Sequence, residues 1–406
     1  MKPAWARHLP LFVIVPVLML SFGASRVHAQ ENSRLCADIA AGNIVNTRES
    51  VEKSSDLDAP ECLNNMTPLM TAAQYGYIAI VKLLIDESAD VDVADGSGRT
   101  ALMVAADYGN AEIAQVLISK GADVNALDDS GRTALMRALG MAMSSSARIS
   151  DRIRTNTQVA GRLAVSRLLI NEGADVNNRD NSGRTVLMTA IGSGHTDMAK
   201  LLLSKGAEVN PADNGGSTAL LVAAGTGQTE MVKTLLDKGA EINAPDDDGR
   251  TALMAAIGIG SADMAKLLVD KGADVNAVDI DRATALMEAI NRGMAETARL
   301  LIKKGADVNA ADYEDRTALM AAIDKGQVDI AKLLIDKGAD INAVDDIGRT
   351  ALLFAAGRDS VDIIKLLIKK GADVNAEGGD GETALCIARA KKHTDAAKVL
   401  AAARAK

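Results

Sequence analysis

Histidine and cysteine, which carry most nucleophilic and metal chemistry, are scarce in this chain: four and three among 406 residues. Beyond residue 29 only His195 and His393 remain, far apart in the sequence. A nucleophile and its base must stand within hydrogen-bond reach, so no Ser–His–acid or Cys–His set is supplied. No catalytic residue is assigned, and an enzyme is not expected. Long apolar runs are nearly absent too. The longest, 9–22, has 14 residues, holds Pro10 and Pro16, and falls short of the roughly 20 that a membrane helix needs. It follows Lys2, Arg7 and His8 and precedes GASRVHA, which ends at Ala29. Residues 1–29 are therefore expected to be a cleaved signal peptide, with a retained anchor as the alternative. Cys36, in SRLC, lacks the small preceding residue of a lipoprotein signal. With no later stretch apolar enough to span a membrane, the mature chain, starting near Gln30, is expected in the periplasm or, alternatively, secreted. Positive charge is in deficit as well. Cleavage would remove the only tryptophan, Trp5, and leave 42 Lys and Arg against 54 Asp and Glu, a net of −12. That balance disfavours general binding to nucleic acid or an anionic membrane.

What the chain has in abundance is one pattern. A helix-opening Thr recurs at Thr67, Thr100, Thr133, Thr185, Thr218, Thr251, Thr284, Thr317, Thr350 and Thr383. Every step is 33 residues except Thr133 to Thr185, which is 52 and carries 19 extra. Ten copies at a fixed period of this length mean a solenoid. Residues 95–127 show the unit. Asp95, Gly96, Ser97 and Gly98 form a turn cluster. Thr100 is placed to cap a first helix whose Leu102, Ala105 and Ala106 share one side; Pro68 follows the cap in the first copy. Gly109 breaks the chain. A second helix is predicted over 111–120 with Ile113, Val116, Leu117 and Ile118 inward, and Gly121 ends it. Helix pairs this short cannot bury their apolar faces alone, so the copies must stack.

This unit resembles the ankyrin repeat. The resemblance rests on TPLM at 67–70, the recurrent T-A-L-M-x-A-A, and GADVN at 121–125, 173–177, 272–276, 305–309 and 371–375. It covers the chain from about residue 62 to the end. It implies an all-α solenoid of the exported bacterial type: helix–turn–helix plus a hairpin loop, with hairpin tips and first helices lining a concave groove for protein partners. The family usually has His after the Leu of this motif. Here stand Met70, Met103, Met136, Met188, Met254, Met287 and Met320, with Leu221, Leu353 and Cys386 in the other copies. An apolar layer thus replaces a hydrogen-bonded one, and Cys386 is expected to be a buried thiol.

Residues 30–61 are expected to form a capping helix pair with Asn46, Arg48, Glu49, Glu52 and Lys53 facing water, ahead of an array over 62–406. About 383–406 forms a C-terminal cap. Cys36 and Cys62 bracket the first cap. In an oxidising compartment they are expected to pair, closing a loop worth about 3 kcal/mol; two buried free thiols are the alternative. The extra residues fall at about 142–160, between the helices of the third repeat. Arg148, Arg152 and Arg154 against Asp151 make this segment basic, and Ile149 and Ile153 share a helical face. It is either a tolerated loop or lengthened helix pair, or a projecting contact finger.

Two rows invite metal chemistry. Thioethers suit copper, but successive repeats stand on the order of 10 Å apart, so the methionines are expected to fill the core. Asp95, Asp128, Asp180, Asp213, Asp246, Asp279, Asp312 and Asp345 precede each hairpin, and Arg99, Arg132, Arg184, Arg250, Arg316 and Arg349 follow four residues on. Calcium needs about six oxygens or more around one point, so hairpin tying is the better account. Calcium or copper binding is a minor alternative, and no metal site or cofactor is assigned. GTGQTE at 225–230 and GIGSAD at 258–263 are the repeat's Gly turns, with no preceding strand to make a phosphate loop.

Positions where one copy departs from the rest mark where function overrides structure. Hairpin tips are mostly polar, but the seventh, eighth and ninth carry Ile280, Tyr313 and Ile347, and the first two also lose the hairpin Gly to Arg282 and Asp315. Phe354 stands on the first helix of the ninth copy. Before the inter-helix Gly the residues run Tyr75, Tyr108, Met141, Ser193, Thr226, Ile259, Arg292, Lys325, Arg358, Lys391. The basic end is accounted for either by helix-dipole compensation, at about 0.3–1 kcal/mol each, or by preference for an acidic partner segment. The expected function is a non-catalytic, exported protein-binding scaffold using Ile280, Tyr313, Ile347, Phe354, Arg292, Lys325 and Arg358. A secreted factor acting on host proteins is the alternative.

Overall fold

The computed structural model describes residues 32–140 and 149–404, and side chains outside 149–156. The expected signal segment 1–29 lies outside these residues, as do the side chains of Arg148, Ile149, Asp151, Arg152, Ile153 and Arg154. The described chain is helical, and β pairing is confined to isolated bridges that close hairpins, such as Val278 with Thr284 and Val344 with Thr350. The architecture is an all-α repeat solenoid. It divides into two compact units, Met1–Ala207 and Glu208–Lys406.

The first unit opens with helices over 32–40 and Ile44–Lys53, the second capped by the Asn43 side chain, which accepts from the Val45 and Asn46 N–H groups. Leu35, Ile39 and Val51 face inward, while Asn46, Arg48, Glu49, Glu52 and Lys53 are exposed. Cys36 and Cys62 are joined by a disulfide, with Cα atoms 5.2 Å apart. Four helix pairs follow, their first members being Pro68–Tyr75, Ala101–Tyr108, Ala134–Gly140 and Val186–Gly192. The second unit stacks six more, with first helices Ala219–Gly225, Ala252–Gly258, Ala285–Asn291, Ala318–Asp324, Ala351–Gly357 and Ala384–Ala390.

Local chemistry repeats with the sequence. The buried hydroxyl of Thr67 accepts from the Met70 N–H at 3.2 Å, and that of Thr185 from the Met188 N–H at 3.1 Å. Such a cap satisfies one of the free donors of a helix start. Thr350 and Thr383 do not cap in this way. The seven motif methionines are all buried, and Leu221 is half-buried. In the second copy the second helix is Ala111–Ser119, with Lys120 as its cap. Ile113 and Leu117 are buried, but Val116 and Ile118 only half so. Residues 113 and 117 lie one turn apart, whereas 116 and 118 flank that stripe by about 100° on either side.

Cys386 is exposed, contrary to expectation. First helices pack on the next copy's, as Ala318–Asp324 does on Ala351–Gly357 and that on Ala384–Ala390. The tenth copy is the last described and has no such cover. The described part of the insertion is helix: Ile149–Asn171 runs 23 residues, against nine in Ala111–Ser119. It crosses the Gly109 turn closely. A Cβ on Gly161 would lie 2.3 Å from the Gly109 carbonyl oxygen, and one on Gly109 2.7 Å from the Arg162 nitrogen. Gln158 donates to the Asp107 carbonyl at 3.3 Å.

Candidate protein-binding surface

The hairpins from 95 to 349 are each built on a leading Asp, whereas the one at 378–382 leads with Gly378. Asp95 Oδ1 accepts from the Ser97 and Arg99 N–H groups at 2.9 and 3.0 Å. The expected Arg tie is present at Arg99–Asp95, Arg132–Asp128 and Arg349–Asp345. It is not what makes the hairpin. Asp213 and Asp279 make the same pair of backbone bonds, to Gly215 and Ser217 and to Asp281 and Ala283, with no Arg four residues on. Arg316 turns instead to Glu314, at 2.8 Å. The carboxylate shapes the turn because two N–H donors in a tight turn need an acceptor.

Successive tips are bonded backbone to backbone. In the second unit Asp247 N–H donates to Gly215 O (3.0 Å), Ile280 to Asp248 (2.8 Å), Tyr313 to Asp281 (2.8 Å), Asp346 to Glu314 (2.9 Å) and Gly379 to Ile347 (2.7 Å). The anchors therefore sit on a stiff ladder. Ile280, Tyr313 and Ile347 are 67%, 76% and 51% exposed. Ile280 and Tyr313 occupy equivalent rungs; Ile347 stands one place later, where its neighbour Asp346 makes the rung bond. Where the first two of these tips lack the hairpin Gly, Arg282 and Asp315 adopt φ of 59° and 53°, at about 1 kcal/mol or more each. Their side chains pair with one another at 3.3 Å.

Phe354 is half-buried and lies under the Arg349 guanidinium, 4.6 Å from ring centroid to Cζ. It lines a cleft of about 240 Å³ with Met287, Met320, Arg316 and Lys325. Of the three cations expected along the groove, two are already engaged. Arg292 pairs with Glu288 on its own helix, and Arg358 with Asp324 at 2.8 Å. Lys325 is exposed and forms no ion pair among the described residues.

A polar cluster in the first unit is not apparent from the sequence pattern of any one copy. Arg137, 11% exposed, bonds Asp107 through Nε and Nη2 and Asp128 through Nη1 at 2.7 Å. Arg162, 5% exposed, donates to the Arg137 carbonyl at 3.0 Å. Burial pushes the Asp128 carboxyl up, but the Arg132 N–H and the Arg137 guanidinium outweigh it and hold the group below its ordinary value. Burial, then the nearby Arg162 charge, lowers the His195 imidazole. Comparison between copies is the signal that finds Arg137: the position four after the helix-opening Thr holds Val104, Thr189, Val222 and Ala255 in neighbouring repeats.

No helix among the described residues is long and apolar enough to cross a membrane. A family model for ankyrin repeats, in its three-copy form, matches residues 38–128, 69–148, 157–213, 210–279, 277–345 and 342–406. No curated protein matches the chain.

Proposed function

The chain belongs to the ankyrin-repeat family of protein-interaction scaffolds, and from that premise we propose that it works outside the cytoplasm, capturing a protein partner on the hairpin tips and first helices of repeats seven to nine. The observation that carries this reading is three large apolar side chains, Ile280, Tyr313 and Ile347, held exposed on a backbone-bonded ladder. Anchors already ordered lose little entropy on binding, and exposed apolar clusters on such a scaffold mark contact. Phe354, flanked by Arg349, extends the wall inward. Export rests on the n-region, apolar run and small-residue site of residues 1–29; the concave face needs no catalytic group.

The test is site-directed photocrosslinking in cells. A crosslinker replacing Tyr313 is expected to trap a partner, and one replacing exposed Lys266 on a second helix is not. Tyr313→Ala, at a side chain 76% exposed, is expected to weaken capture without changing melting. Crosslinks from Lys266 alone would refute the site. Fractionation of cells and medium decides between periplasm and secretion, and finding the full-length chain in the cytoplasm would refute export.

A further inference from the structure

The hairpin ridge carries charge as well as anchors, and the charge is unevenly placed. The five tips at 246–250, 279–283, 312–316, 345–349 and 378–382 hold twelve carboxylates against four arginines, a net of −8. The three tips at 95–99, 128–132 and 180–184 hold four against three. Nothing in hairpin construction demands this excess. In the four tips from 246 to 349 one carboxylate each, the leading Asp, ties the turn, and in 378–382 Asp380 accepts from the Glu382 N–H, while Asp247, Asp248, Asp281 and Asp346 are exposed and form no ion pair among the described residues. Three of the four cations on the same ridge are consumed, Arg282 by Asp315, Arg316 by Glu314 and Arg349 by Asp345, and Arg250 alone is exposed with no ion pair among the described residues.

Accepting the proposed surface, we infer that its partner is a cationic protein segment with apolar side chains between its lysines or arginines. The apolar residues cover Ile280, Tyr313 and Ile347, and the cations meet Asp247, Asp248, Asp281 and Asp346. The acidic partner suggested by the basic ladder is disfavoured, since Arg292 and Arg358 are already paired and an acidic segment would approach the ridge against its field. Like-charge juxtaposition excludes wrong partners, and opposite charge steers the right one.

The experiment uses the full chain and three fluorescent peptides of equal length: Lys alternating with Leu and Phe, the same with Glu for Lys, and the same with Ser for Leu and Phe. Anisotropy is expected to show binding of the first alone, with association slowed about tenfold or more between low and physiological salt. Replacing the four acids (D247N, D248N, D281N, D346N) is expected to slow it by a similar factor, and Ile280→Ser with Tyr313→Ser to speed dissociation. Preference for the Glu peptide, equal binding of the Ser peptide, or indifference to the four-Asn variant would each overturn the inference. If no peptide binds while the Tyr313 crosslink persists, the cationic partner falls and the surface stands. If the crosslink is lost as well, both fall.

Discussion

Replacing Arg137 by Met tests the buried charges directly, because Met keeps much of the side-chain volume and removes only the guanidinium. Asp107 and Arg137 are each 11% exposed and Asp128 2%, so the substitution strands carboxylates out of water. Breaking a buried pair from one side costs about 3–5 kcal/mol. The lower end applies here, since Asp128 keeps Arg132 at 3.2 Å and the N–H groups of Ser130 and Arg132. A loss of about 3 kcal/mol corresponds to roughly 6–12 °C in Tm for a unit of this size. Urea titration followed by circular dichroism, with hydrogen exchange to localise the loss to residues before Ala207, measures it. Adding Asp107→Asn to Arg137→Met is expected to cost less than the two single changes summed, by about 1 kcal/mol or more. The sign with pH is fixed by Asp128. Its depressed folded-state pKa gives stability that is present above about 3.8 and lost as pH falls through the folded value. Arg137→Met removes one cause of that depression, so the gap between wild type and variant should narrow in acid. A single-variant loss under about 0.5 kcal/mol, or strict additivity, would refute the account.

Gly161→Ala is expected to destabilise the first unit by about 2 kcal/mol or more, because its Cβ would meet the Gly109 carbonyl oxygen and neither side is a flexible chain end; a melting curve checks it. His195, lowered by burial and Arg162, takes up a proton more readily unfolded than folded. Stability is therefore expected to fall as pH drops below the ordinary 6.5, and His195→Asn to flatten that slope in a pH series of urea midpoints. Reducing the Cys36–Cys62 bond is expected to lower the stability of the N-terminal cap by about 3 kcal/mol, read as faster amide exchange over 32–62.

The repeat register, the Thr caps, the Gly turns and the buried methionines are legible in the sequence, because most copies make the same demand of the same position, although Thr350 and Thr383 keep the residue without making the cap. Cys386 defeats that reading because burial there depends on the next copy, not on its own helix. The hairpin Arg carries less than its recurrence suggests, for a different reason. Arg99 and Arg132 do tie their Asp, but Asp213 and Asp279 show that two backbone N–H groups suffice. The apolar tips are visible as departures from the pattern. The pairing of Arg292 and Arg358 is not, since a residue's identity does not state its neighbour.

Yet in a stacked array the neighbour also has a sequence offset. Lys120 meets Asp86, Lys304 meets Asp270 and Arg358 meets Asp324, each 34 residues back. Asn276 and Asn309 accept from the Asp307 and Asp340 N–H groups 31 residues on. Arg282 and Asp315 are 33 apart. Cations compared with the residue 34 places back, rather than along each helix, cancel Arg358 against Asp324 from the amino-acid order alone and leave Lys325, opposite Asn291, standing. The insertion shows the limit of that rule. Asn125 accepts from the Asp175 N–H across 50 residues, and Gln158 reaches Asp107 across 51, because the added helical turns lengthen the offset without moving the stacking. Offset arithmetic therefore holds wherever the period holds. Where the period breaks, the packing of the lengthened helix on Gly109 has to be known first.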